Sequence, residues 1–116
     1  METTTDLLFL LAVTFLFNHE LDAVQQHEWR ILSVPLSVSD KVAYRIFVAF
    51  HILFFGVIIW YINESWLQIG LDVFLIAHVF IHYALRNNSN LVFTWFSWVW
   101  ILGGGILGAI HLLLMA

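Results

Sequence analysis

The stretch Leu7 to Arg30, LLFLLAVTFLFNHELDAVQQHEWR, decides how this chain is read. Its first half, through Phe17, is apolar apart from Thr14, as lipid demands of a helix that crosses it. The second half puts His19, Glu20, Asp22, His27, Glu28 and Arg30 on what reads as a continuation of the same helix. Ionisable groups at bilayer depth are costly and are usually kept for a site, so one segment carries both a membrane span and a candidate centre.

The rest of the chain has the same character. Of 116 residues, 62% are hydrophobic and only 10% charged, a balance that defines an integral membrane protein. That length holds about four spans of roughly 20 residues and leaves nothing for a separate soluble domain. Polar breaks at Ser33 to Ser39 with Pro35, at Asn63-Glu64-Ser65 and at Arg86-Asn87-Asn88 divide it into spans of about 5–31, 42–63, 66–86 and 91–115. The expected fold is all-α: a single membrane-embedded four-helix bundle of up-down topology. The four basic residues, Arg30, Lys41, Arg45 and Arg86, flank the first and third loops. The positive-inside rule makes that side cytoplasmic and puts both termini on the other. The start, Met1 to Asp6, has no positive charge and leads into a span rather than a cleavage site, so a signal peptide is not expected; Thr5 or Asp6 suits a helix cap. Zero cysteines exclude thiolate-held metals, iron–sulfur clusters and thioether-attached haem. The net charge of −4 argues against a nucleic-acid partner.

The polar groups sort by depth when helical residues are counted at ~1.5 Å each from the cytoplasmic end of each span. On that scale Glu20, His19, His51 and His78 lie ~12–15 Å in, and His27 and His82 ~5–6 Å in. Glu20 and His27, seven residues apart, point within ~20° of each other, and His78 and His82 share one face a turn apart. Glu20, His27, His51, His78 and His82, drawn from three helices, are therefore the candidate metal ligands. Their imidazole and carboxylate atoms suit zinc, iron, manganese or nickel better than calcium, with zinc or iron foremost. His19 and Asp22 flank that face as a candidate general base or as groups that orient the ligating rings. On a straight helix Glu28 points away and is not expected to ligate. Asp72 and His111 fall at one level in the opposite half of the membrane and are expected to form a local structural pair. Gly103, Gly104, Gly105 and Gly108 in the fourth span allow close helix approach.

These features support a membrane-embedded metal-binding protein, in its fullest form a metal-dependent enzyme acting on a lipophilic substrate. Two alternatives use the same residues differently. In one, His51 with His78 or His82 ligates haem among the eleven Phe and six Trp, and the chain is a pigment-binding accessory subunit of an electron-transfer or photosynthetic complex. In the other, the histidines and carboxylates form a polar network that sets helix register in a structural subunit docking a partner. The metalloprotease signature His-Glu-x-x-His is absent, because Ala23 stands where its second histidine belongs.

The run His19-Glu-Leu-Asp-Ala-Val-x-x-His27-Glu-Trp-Arg30, then Tyr44-Arg45-Ile46-Phe47 with His51, then Leu71-Asp72-x-Phe74-Leu75-Ile76-x-His78-x-x-x-His82 and the closing Gly108-Ala-Ile-His111, resembles a family of small bacterial four-span membrane proteins of unknown function. The resemblance covers nearly the whole chain. It implies a compact four-helix unit with its polar signature on the first helix and a place in a bacterial inner membrane, and it brings no activity, substrate or cofactor.

Overall fold

A computed structural model describes residues 3–116; Met1 and Glu2, part of the stretch read above as lacking a signal peptide, lie outside the described residues. Four long helices account for most of it: α1 (Thr4–Gln25), α2 (Asp40–Trp60), α3 (Ser65–Ala84) and α4 (Trp95–Met115), with a short 3-10 helix (Glu28–Leu32) between α1 and α2. All four are long and apolar enough to cross a membrane, and the chain is an integral membrane protein.

Helix starts follow local chemistry. Thr3 caps α1 in a reciprocal box with Asp6, and Thr94 and Ser97 do the same for α4, each box satisfying amide donors that no helical carbonyl can reach. Ser39 accepts from the Val42 amide at the start of α2. The cap of α1 therefore falls on Thr3, slightly before Thr5 or Asp6.

The first helix ends earlier than its polar periodicity indicates. Instead of continuing to residue 31, α1 stops at Gln25, and His27 takes the left-handed conformation at φ 58°. Histidine is among the non-glycine residues that enter this region most readily. The chain then re-enters as the 3-10 helix, rotated relative to α1. Trp29 packs its ring against Tyr44 of α2, and Arg30 and Ser33 both meet Asp40 (3.6 Å and 3.0 Å), fastening the loop to the start of α2.

Side-chain register defines the topology. Phe9 of α1 lies against His111 near the end of α4, while Phe15 meets Trp100 near its start, so these helices run antiparallel. Asp72 pairs with His111 and His82 meets Phe93, which makes α3 antiparallel to α4 as well. Phe17 meets Phe55 and Glu20 meets His51, which sets α2 antiparallel to α1. The result is an up-and-down bundle.

Its core is uneven. Helices α1 and α3 both pack along α4, burying Phe9, Ala12, Val13, Leu16, Leu71 and Leu75. In lipid there is no hydrophobic drive between helices, so close contact of small residues must supply the attraction. Gly108 shows how. A Cβ there would stand 3.3 Å from the carbonyl oxygen and 3.4 Å from the Cα of Asp72, so only glycine lets α3 and α4 come this near without a shift. Helix α2 instead rests mainly on the 3-10 helix and buries only Ala43 and Ile58. Cavities separate much of it from α1 and α3, and polar groups line them.

Candidate metal centre

Four side chains from three segments meet where α1, α3 and the 3-10 helix converge: His19, Glu28, His78 and His82. Each offers one ligand atom, and these atoms all lie within 4.8 Å of one another. The Nε2 atoms of His19 and His78 are 3.0 Å apart, Glu28 Oε1 is 2.8 Å from His82 Nε2, and Glu28 Oε2 is 3.9 Å from His19 Nε2. Around a tetrahedral zinc ion with bonds of about 2.0–2.1 Å, neighbouring ligand atoms stand roughly 3.3 Å apart. The observed separations straddle that value. His19 and His82 are buried, and Glu28 and His78 are half-buried.

Hydrogen bonding fixes what these atoms can be. His82 Nδ1 donates to the His78 carbonyl at 2.9 Å; a carbonyl only accepts, so Nδ1 carries the hydrogen. In the neutral ring Nε2 then presents a lone pair directly toward the Glu28 carboxylate. Two acceptors at 2.8 Å repel each other unless a positive charge lies between them. The Nε2 atoms of His19 and His78 at 3.0 Å can share a proton as a neutral N–H···N hydrogen bond, or can share an ion. A single divalent cation answers both at once, and a backbone carbonyl orienting a ligating ring through its far nitrogen is the usual support of a protein metal site. One carboxylate and three neutral imidazoles suit zinc or ferrous iron. His19 Nδ1 is buried without a partner among the described residues, a cost that an ion on its other nitrogen would offset.

A second contact of the same type lies beside this cluster. His51 Nδ1 donates to the Phe47 carbonyl at 2.6 Å, which turns Nε2 onto Glu20 Oε2 at 2.7 Å. No third ligand joins them among the described residues, and the contact is an imidazole–carboxylate hydrogen bond. A cavity of about 480 Å³ between α2, α3 and the 3-10 helix is lined by Glu20, His51, Glu28 and His78 together with Phe47 and Phe74. It joins the two groups on one wall and falls in the size range of about 300–1,000 Å³ common for small-molecule sites. A second, apolar cleft of about 280 Å³ between α1 and α2 shares Glu20, Phe47 and His51 with it.

The residues singled out in the sequence thus distribute unequally. His78 and His82 stand in the cluster. Glu20 and His51 pair with each other across the adjoining cavity. His27 stands apart: it occupies the left-handed turn, is exposed, and lays its ring against Trp29. Its expected alignment with Glu20 required a continuous helix, and the break at Gln25 removes it. The same break swings Glu28 inward. His19, expected as a flanking group, enters the cluster through Nε2. Asp22 faces the opposite side of α1, toward Phe96 and Trp100 of α4. Asp72 and His111 form their own pair at 2.6 Å, both fully buried.

A four-helix membrane protein with a histidine–carboxylate cluster between its helices is the class that this geometry defines. The chain belongs to DUF6713, a family of unknown function whose model matches residues 5–116. No curated protein and no solved structure matches it.

Proposed function

We propose that this chain is a membrane-embedded metal-binding protein in which His19, Glu28, His78 and His82 hold one divalent transition ion, zinc or iron. The observation that carries the reading is the approach of four ligand atoms to within 4.8 Å of one another, in a region where unpaired polar atoms are penalised. The finer reading is a metal-dependent enzyme acting on a lipophilic substrate. The cavity shared by Glu28, His78, Glu20 and His51 supports it, because its walls are otherwise largely apolar and α2, the loosely packed helix, forms one side. Bound there, the ion would act as a Lewis acid toward a polar group of the substrate. Glu20 and His51, which line the same cavity, would hydrogen-bond that group beside the ion. Resemblance to bacterial four-span proteins favours a bacterial inner membrane as the setting.

Haem fits this arrangement less well than a bare ion. The rings of His19, His78 and His82 touch one another directly, with centroids 4.0–5.0 Å apart, and leave no slot for a macrocycle between them.

Elemental analysis of detergent-purified protein tests the proposal. Close to one zinc or iron per chain is expected in the natural sequence, and loss of that ion in His78→Ala/His82→Ala. Substoichiometric metal after expression with either ion in excess would overturn it and favour a purely structural polar network.

A further inference from the structure

Asp22 has no part in the metal centre, yet it is a carboxylate in a membrane-spanning helix with a relative exposure of only 8%. Among the described residues its side chain has neither a hydrogen bond nor an ion pair, although His19 and Glu20 nearby are both engaged. It lines a cavity of about 320 Å³ between α1 and α4 with Asn18, Gln25, Leu21, Phe96 and Trp100. No lysine or arginine is among the lining residues. An unpaired carboxylate in such a place marks a site whose partner is supplied from outside the chain.

The lining identifies that partner's charge and shape. One carboxylate and two amide oxygens accept hydrogen bonds, and the indole of Trp100 and the ring of Phe96 set edge-to-face beside them present π-electron surface. Acceptors combined with aromatic faces select organic ammonium groups. The end of α1 strengthens the choice: Asp22 lies in its last turns, where the helix dipole favours a cation, and that last turn carries no basic residue of its own. An anion is disfavoured even though the start of α4 is adjacent, because the capping box between Thr94 and Ser97 already occupies donors there. Asp22 lies three residues before Gln25, about 5 Å from the end of α1 at ~1.5 Å per residue, within reach of a headgroup lying beyond that end.

We infer that the groove between α1 and α4 binds the ammonium headgroup of a membrane lipid, with Asp22 as its counter-ion and Trp100 and Phe96 as its aromatic wall. The primary ammonium of an ethanolamine headgroup fits best, since it can donate to Asp22, Asn18 and Gln25 together. This site does not depend on whether the histidine cluster holds an ion.

Native mass spectrometry of the whole chain released from nanodiscs of mixed phosphatidylethanolamine and phosphatidylglycerol provides the test. The natural sequence is expected to retain phosphatidylethanolamine in preference to phosphatidylglycerol, and Asp22→Asn, nearly isosteric, to lower that retention at least several-fold while the metal content stays unchanged. Trp100→Leu should lower it less. Free ethanolamine in excess separates the sources of the chemistry: if the lipid is the ligand, it competes only weakly. Equal retention of both lipids, undiminished retention in Asp22→Asn, or complete displacement by free ethanolamine would each overturn the proposal. If Asp22→Asn fails to fold, Asn18→Leu/Gln25→Leu on exposed positions should show the same loss of preference, and an unchanged preference there would overturn it too.

Discussion

Two imidazole–carboxylate sites lie at opposite depths of this bundle, and they are built from the same chemistry for different ends. Asp72 and His111 meet at 2.6 Å between α3 and α4, both essentially without exposure, under the ring of Phe9 and beside the close approach at Gly108. Glu28 meets His82 at 2.8 Å, but with two further imidazoles converging and a cavity of about 480 Å³ on the open side. The first pair, fully buried, ties α3 to α4 and leaves Asp72 Oδ1 without a partner among the described residues. The second gathers three imidazoles and a carboxylate that could hold a metal, and it opens onto a cavity. What separates the two settings is the helix packing around them: α3 and α4 touch closely, while α2 stands off.

Substitutions can break that contrast in a graded way. The largest expected effect is on the cluster. His78→Ala/His82→Ala should weaken zinc or iron binding by at least about 1,000-fold in competition with a chelator, since two of four ligands are lost. Asp72→Ala should leave that affinity within a factor of about two, because the sites share no residue. Its effect should appear in stability: removing one partner of a fully buried pair costs about 3 kcal/mol, read as a lower midpoint of unfolding in denaturing detergent. Gly108→Val should follow at about 2 kcal/mol, as the added methyls force α4 off the Asp72 backbone. The smallest effect belongs to His27→Ala, expected to change metal affinity less than about twofold and stability by under about 0.5 kcal/mol, as an exposed position does. An effect of His27→Ala comparable to that of the cluster variants would mean that α1 continues past Gln25 and that His27, not Glu28, reaches the cluster.

The division between legible and hidden features follows from the same physics. Four spans were readable because lipid imposes continuous apolar length, and the Asp72–His111 pairing because a depth count suffices when helices are straight. His78 and His82 were readable because a one-turn spacing places both on one face. Glu28 stands in the cluster and His27 outside it for a local reason. Nothing between Asp22 and Glu28 is glycine or proline, so periodicity carries straight through a point where the backbone turns at His27. The retrospective signal lies downstream: Trp29, Arg30 and Ser33 all have partners on α2 at Tyr44 and Asp40, contacts that a straight continuation of α1 would carry away from α2. The separation of α2 from its neighbours was equally hidden, because a helix facing lipid and a helix facing an apolar cavity have the same composition.

X-ray absorption spectroscopy of the protein loaded with one equivalent of zinc decides whether His19, Glu28, His78 and His82 hold the ion. A four-coordinate shell of three imidazole nitrogens and one carboxylate oxygen at about 2.0–2.1 Å is expected, with imidazole scattering falling to one ring in any variant that still binds zinc after His78→Ala/His82→Ala. A shell without imidazole scattering, or one that survives the double substitution with its ring count intact, would contradict it.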